Sequence, residues 1–104
     1  MELKRVVVTG IGMVTPLGND VTTTWENLLA AKSGAGDITH FDASKFKTQF
    51  ACEVKNLDVS SLFDPKELRR YDRYIHLAIH SAEQAIQDSG ISIENEDTLR
   101  CGVI

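Results

Sequence analysis

The sequence predicts an α/β fold, and three observations carry that prediction. Residues 6–8 are three consecutive valines without polar alternation, which is typical of a parallel strand covered on both faces. Residues 99–104 form a second apolar segment at the end of the chain. Stretches with helical periodicity lie between them. We therefore expect the two strands to pair in parallel through a right-handed crossover.

Composition and charge exclude several classes of protein. The 104 residues suffice for one small domain, with 42% apolar and 25% charged residues. A formal net charge of -4 argues against a nucleic-acid partner. No apolar run is long enough to span a membrane, and the N-terminus has no signal-peptide pattern, so we expect a cytoplasmic protein with no membrane partner. Because the chain ends inside an apolar segment, we expect it to be the front part of a longer protein.

Residues 5–18 predict a strand, a sharp turn of small residues and then a helix. Gly10 and Gly12 lack a Cβ, so the backbone can turn tightly there or pass close to another segment. A Gly-Ile-Gly after a strand also begins a dinucleotide-binding fingerprint. That fingerprint needs a third glycine where this chain has Thr15, and Pro16 follows. The sequence therefore favours a structural turn over a nucleotide site.

The first helix is predicted in the segment after Gly18 and is expected to finish at Lys32, with Gly34 as a left-handed stop. Thr23 with Glu26 fits a capping box. Asp20 and Thr22 are the alternative N-caps. The apolar face that is expected to pack into the core consists of Val21, Trp25, Leu28 and Leu29.

A long connection, residues 33–47, precedes a predicted edge strand at residues 48–55. The connection is expected to be pinned to the core by Ile38, Phe41 and Phe46. In the strand, apolar and polar side chains alternate, which predicts one exposed face. Cys52 lies on the apolar side, where we expect it to be a buried, unreactive thiol. A lone histidine in the connection, His40, has no neighbouring ligand and does not indicate a metal site.

Two further helices are predicted after residue 60. Asp64 as N-cap with Pro65 and Glu67 begins a short helix that reaches about Tyr71. Asp72 is expected to cap a second helix with apolar residues at helical spacing through residue 86 and a stop at residues 89–90. Small residues at positions 78, 82 and 85 allow it to approach a neighbour closely, so we expect a buried central helix.

His76 and His80 lie one helical turn apart, a spacing that can bind a metal. They lack a third ligand at a helical spacing, so the sequence predicts no metal site. Residues 92–98 are acidic and are predicted to be a loop.

Taken together, four blocks resemble the beta-ketoacyl-acyl-carrier-protein synthases, most closely the type II condensing enzymes of bacterial fatty-acid synthesis. The blocks are KRVVVTGIGMVTPLGNDV, TWENLLAAKSG, FDASKFKTQFACEVK and DPKELRRYDRYIHLAIHSAEQAIQDSG. The resemblance covers about Lys4 to Ile104 and implies a thiolase-like fold with α/β/α/β/α layers. Residues 1–104 would form the N-terminal portion of its first half, with the remainder of the enzyme absent.

The resemblance implies a decarboxylative Claisen condensation of acyl-ACP with malonyl-ACP in a homodimeric parent enzyme. The family's catalytic cysteine and two histidines lie beyond the matched region, so this chain is expected to contain no catalytic residue and to be inactive alone. No cofactor or metal is implied, because the substrates travel on the phosphopantetheine of acyl carrier protein. The alternatives are a polyketide-type ketosynthase fragment and a stand-alone, non-catalytic α/β interaction module.

Lys66, Arg69 and Arg70 stand at i, i+3 and i+4, so they share one face of the short helix. From charge alone this is a solvated face paired with nearby acids. Those acids are Asp64, Glu67 and Asp72. The resemblance implies that the three basic residues dock the acidic acyl carrier protein. Arg73 would extend the face if the helix continued past residue 72.

Overall fold

The computed structural model describes all residues, 1–104. It contains three α-helices: α1 (Val21–Leu29), α2 (Pro65–Arg70) and α3 (Arg73–Ser89). Two short strands, β1 (Ala35–Asp37) and β2 (Phe50–Cys52), form an antiparallel pair with Gly36 opposite Ala51. Two single 3-10 turns follow α3, at Ile93–Asn95 and Thr98–Arg100.

The predicted parallel pair of strands is wrong for this chain. Residues 1–14 make no backbone–backbone hydrogen bond, and the side chain of Val6 is 90% exposed. At the other end, the predicted strand at residues 99–104 is replaced by a 3-10 turn and an unpaired tail. A strand exists only through hydrogen bonds to a neighbour, and neither segment has one here.

Residues 10–13 instead lie along α3, as their glycines allow. A Cβ on Gly12 would collide with the carbonyl oxygen of Ser81, and one on Gly10 with that of Ala85. The close approach predicted from small residues is thus confirmed at position 85. Positions 78 and 82 are exposed, so most of the predicted burial of α3 is not realised.

α1 begins at an aspartate cap. The Oδ1 atom of Asp20 accepts a hydrogen bond from the backbone N–H of Thr23 over 2.7 Å, so Asp20 and not Thr23 is the N-cap. The helix ends at Leu29, and Ala31 rather than Gly34 adopts the left-handed conformation, with φ of 53°. Gly34 has a different role, because a Cβ there would lie 2.7 Å from the Cβ of Pro16.

The apolar face of α1 is not packed into a core. Trp25, Leu28 and Leu29 are 57%, 54% and 68% exposed. The buried residue of α1 is Thr24, whose hydroxyl donates to the carbonyl oxygen of Gly18 over 3.2 Å. A polar contact with the preceding turn therefore anchors the helix, and the predicted apolar packing lacks a partner surface in this chain.

The connection between α1 and β2 also differs from its prediction. Phe41 and Phe46 are exposed and pack edge to face on each other, with ring centroids 5.7 Å apart. The buried residue of this connection is Ala43. Only residues 50–52 of the predicted strand pair with β1, and Cys52 is exposed because no layer covers that face.

Only five residues are buried: Thr24, Ala43, Val59, Phe63 and His76. The radius of gyration is 17.7 Å, whereas a compact domain of this length has about 13 Å. The molecule is thus an open arrangement of short elements with few buried residues and much apolar surface exposed.

Candidate functional site

α2 is held in place by a reciprocal capping box. One carboxylate oxygen of Asp64 accepts from the backbone N–H groups of Lys66 and Glu67, each over 2.8 Å. In return the backbone N–H of Asp64 donates to the Glu67 carboxylate over 3.3 Å. Pro65 occupies the first helical position, where an N–H would have no partner. The predicted start of this helix is confirmed.

The helix ends earlier than a continuous basic face would require. Tyr71 and Asp72 have ψ of 138° and 159°, which is extended backbone. Arg73 therefore begins α3, and its guanidinium Nη2 donates to the carbonyl oxygen of Val54 over 3.5 Å. The condition for extending the face through Arg73 is not met, because the backbone break directs that residue toward Val54, two residues after β2.

Lys66, Arg69 and Arg70, which we call the basic face, are exposed on α2. Their predicted ion pairs are not formed. The only cation-forming and carboxylate side chains within ion-pair distance of each other are His40 and Glu53, with 3.8 Å between Nε2 and Oε1.

Asp64 and Glu67 form no ion pair with the basic face because the capping box directs their carboxylates to backbone N–H groups. Arg69 and Arg70 also lie in the last turn of α2, where positive charge interacts favourably with the helix dipole. Three positive charges are thus left without a carboxylate partner on one short helix.

A cluster of three rings packs beside α2. We call it the ring cluster: Phe63, Tyr71 and His76. The ring of Phe63 lies 5.9 Å from that of Tyr71 and 5.1 Å from the imidazole of His76. Phe63 and His76 are buried, and the Nε2 atom of His76 has no hydrogen-bond partner. The cluster joins the two ends of α2 to the first turns of α3.

The other candidate chemistry is not assembled. No three His, Cys, Asp or Glu side chains come together in a way that could hold a metal. His76 is buried among rings, whereas His80 is only half-buried. Both thiols, Cys52 and Cys101, are exposed, and neither is hydrogen-bonded to a histidine. The structure thus brings together the basic face and none of the other candidate groups.

Two open clefts lie elsewhere on the molecule. One, of about 310 Å³, lies beside residues 15–20, and the ammonium of Lys55 at its edge already donates to the carbonyl oxygen of Gly34. The second, of about 390 Å³, includes Gln84 and Asp88. Several of the polar side chains that line these two clefts form hydrogen bonds between segments of the chain. No helix has the length and apolar character needed to cross a membrane.

Sequence reasoning did not identify Gln84 and Asp88 as important. Asp88 Oδ2 accepts from the backbone N–H of Ile11 over 2.9 Å, and Gln84 Oε1 accepts from that of Met13 over 3.1 Å. Their i, i+4 spacing on α3 was the available signal, because it places both on one helical face. Nothing in the sequence says which backbone segment such a face meets.

The comparisons with known proteins agree on one family. The family described as "Beta-ketoacyl synthase, N-terminal domain" matches residues 3–104. A relative from Coxiella burnetii, "3-oxoacyl-[acyl-carrier-protein] synthase 2", is 48% identical over 103 residues, which is 99% of this chain and 25% of the relative. A relative of the same name from Synechocystis is 41% identical over 104 residues, again 25% of its length. The chain thus spans about a quarter of the length of the curated relatives it matches.

A solved structure gives the same answer. "The ishigamide ketosynthase/chain length factor" superimposes with a TM-score of 0.75 and 30% sequence identity over 86% of this chain and 22% of that chain. The α/β class predicted from sequence, as the N-terminal part of a thiolase-like fold, is therefore confirmed. The chain belongs to the beta-ketoacyl synthase family, whose N-terminal domain matches residues 3–104.

Proposed function

We propose that this chain is the N-terminal part of a 3-oxoacyl-ACP synthase that elongates fatty acids. The support is the identity of 41–48% that relatives of that name share with the chain over nearly its whole length. In the proposed reaction a cysteine thiolate of the complete enzyme accepts the acyl group from acyl carrier protein. Malonyl-ACP then loses carbon dioxide, and the resulting carbanion attacks the acyl thioester and expels the thiolate.

Within that function, we assign the docking of acyl carrier protein to the basic face. The observation that carries the assignment is that three exposed cations without a carboxylate partner lie within residues 66–70 on one short helix. The chain as a whole has a net charge of -4, so this helix departs from the average of its surface. An acidic partner would be steered to it mainly through a faster association rate, which salt suppresses.

The experiment is a charge reversal in a full-length synthase that carries this segment. Lys66→Glu, Arg69→Glu and Arg70→Glu are combined. We expect a raised KM for carrier-protein substrates and unchanged kinetics with a small acyl thioester that needs no docking. Each rim contact contributes about 0.5–1 kcal/mol, so the three changes together should raise KM at least tenfold.

The matched control reverses three other exposed cations, Lys32, Lys45 and Lys47. It changes the net charge by the same amount and leaves α2 intact. If both triple variants raise KM equally, the effect comes from overall charge and the assignment to α2 fails. If the basic-face variant loses activity equally with both substrates, the helix supports folding and not docking.

A second candidate is a polyketide-type ketosynthase, which the structural match to a ketosynthase/chain length factor favours. The two functions differ in their products. With malonyl-ACP as the only extender and no reducing enzymes present, a fatty-acid synthase adds one unit to a saturated acyl primer. A polyketide enzyme adds several units and leaves a poly-β-ketone, which mass spectrometry of the carrier-bound product distinguishes.

The remaining features of the parent enzyme follow from the same proposal. We propose a cytoplasmic homodimer that needs no cofactor, because the carrier protein's phosphopantetheine brings both substrates. Nucleic acid and membranes are not among its proposed partners. The rest of the synthase is a proposed partner of this chain, since the catalytic cysteine and histidines of the family are proposed to lie outside these residues.

A further inference from the structure

We propose that Phe63 and Tyr71 are positioning residues for the basic face. Their ring contact ties the two ends of α2 together and so sets the direction in which the three cations project. The proposal rests on the docking function proposed above and deepens it, because it names the residues that act on docking without touching the carrier protein. We define their role as control of the alignment of α2.

α2 needs such support because it is very short. It has six residues, none of them buried. An isolated helix shorter than about 12–15 residues is marginal in water, so α2 depends on contacts at its ends and beside it. The capping box satisfies the N–H groups at its first turn. No capping side chain holds its last turn, where two of the three cations lie.

The ring cluster supplies the missing support. Phe63 is the residue before the N-cap, and Tyr71 is the C-cap. Their rings meet at 5.9 Å with an interplanar angle of 67°, an edge-to-face arrangement. The two residues that flank α2 therefore contact each other, and this contact links the N-terminal end of the helix to its C-terminal end. The imidazole of His76, on α3, lies 5.1 Å from the ring of Phe63, so the ring contact also connects α2 to α3.

Alignment matters for this face because each contact is weak by itself. Three long, flexible side chains must engage one partner at the same time, and ordering them reduces the net gain of binding. When the Phe63–Tyr71 contact joins the two ends of α2, the three cations project from a backbone of fixed conformation. If the last turn unwinds, Arg69 and Arg70 lose their common face with Lys66, although every charge remains.

The test uses Tyr71→Ala and Tyr71→Phe in a full-length synthase that carries this segment. Tyr71→Ala should raise KM for carrier-protein substrates about threefold to tenfold, the range expected for loss of one aromatic pair. The kcat with a small acyl thioester should not change. Tyr71→Phe should restore the normal KM, because the ring contact does not use the hydroxyl. Tyr74→Ala is the matched control, since Tyr74 lies nearby on α3, is 69% exposed and belongs to no aromatic pair.

Combining Tyr71→Ala with the triple charge reversal makes the test specific. If Tyr71 acts through the basic face, its loss should raise KM no further once that face is reversed. A full additional increase, an equal effect of Tyr74→Ala, or equal losses with carrier-bound and small substrates would each overturn the proposal. Should Tyr71→Ala fail to fold, Tyr71→Leu keeps apolar packing without the ring edge and should show the same change confined to KM.

The triple variant by itself tests the docking function, so the two ideas can fail separately. If the triple variant raises KM and Tyr71→Ala does not, only the positioning role is overturned. If the triple variant leaves KM unchanged, the docking function itself is overturned.

Discussion

The backbone N–H of Ile11 donates to the carboxylate of Asp88 over 2.9 Å, across 77 positions of sequence. Two positions further on, Met13 makes the equivalent bond to Gln84. α3 thus supplies two side-chain acceptors to alternate N–H groups of residues 11–13. In a β-sheet, the backbone carbonyl groups of a neighbouring strand would accept these hydrogen bonds. This contact, together with the glycines that permit it, links the first residues of the chain to the longest helix.

Removing the Asp88 acceptor should release Ile11. We expect Asp88→Ala to speed amide hydrogen exchange at Ile11, because that N–H loses its partner, while Met13 is less affected. Asp88→Asn keeps a carbonyl oxygen at the same place and should largely preserve protection. Gln87→Ala removes only a bond to Glu83 and serves as the control. Equal exchange rates in the Asn and Ala variants would contradict the assignment.

Gly12 should not tolerate a side chain. Its Cβ would overlap the carbonyl oxygen of Ser81, so Gly12→Ala must push residues 10–13 away from α3. Overpacking of this kind costs about 1–3 kcal/mol. Gly36→Ala is the matched control, because a Cβ at Gly36 meets no atom within 4 Å. Thermal unfolding of a full-length synthase that carries this segment should show a lowered midpoint for the first variant only, and equal midpoints would refute the close contact.

The antiparallel pair of β1 and β2 should respond to acid through Glu53, the residue that follows β2. The hydroxyl and backbone N–H of Thr39 donate to this carboxylate, and the side-chain bond is the main reason that the pKa of Glu53 lies below its ordinary value of 4.5. A carboxyl with a lowered folded pKa adds stability above its unfolded pKa and loses it as pH falls through the folded value.

We therefore expect the Thr39 amide resonance to shift and its exchange to speed up as the pH falls below about 4.5. Glu53→Gln should remove that pH dependence. If the variant keeps the same titration curve, another group is responsible.

The 104-residue chain alone should associate with itself. Val6, Trp25 and Leu29 are all more than half exposed, and residues 6–8 present unpaired backbone groups. Exposed apolar patches and unpaired extended segments promote association. Analytical ultracentrifugation at low micromolar concentration should show dimers or larger species. A monomer that unfolds cooperatively would show that the small core suffices.

The chain alone should also have no condensing activity. Both cysteines are exposed, and neither has a hydrogen-bonded histidine to activate it. Incubation with acyl- and malonyl-ACP should give no 3-oxoacyl product by mass spectrometry. Product formation that is lost on Cys52→Ala or Cys101→Ala would contradict this expectation.

Local features were predictable because they depend on neighbours in sequence. The capping box at Asp64 and the stop of α3 at Gly90, whose φ is 65°, follow from residues within one turn of the backbone. The spacing of the three cations on α2 is of the same kind. Family membership was also readable from sequence, since ordered blocks at fixed separations do not require a structure.

Long-range features were not predictable in the same way. Burial was predicted wrongly for Trp25 and Cys52, because periodicity shows which face is apolar but not whether another surface covers it. The same holds for residues 6–8, whose composition suits a strand but whose hydrogen bonds must come from elsewhere.

By itself, the sequence determined the N-terminal cap of α2 and the stop of α3. It also determined the placement of three cations on one short helix and the family of the chain. Only the tertiary structure decided that these cations have no acidic partner, that Arg73 leaves their face, and that Phe63 meets Tyr71 across the helix. The physical reason is range. Caps and faces are set by the geometry of three or four consecutive residues, whereas pairing, burial and ring contacts depend on which distant segments the chain brings together.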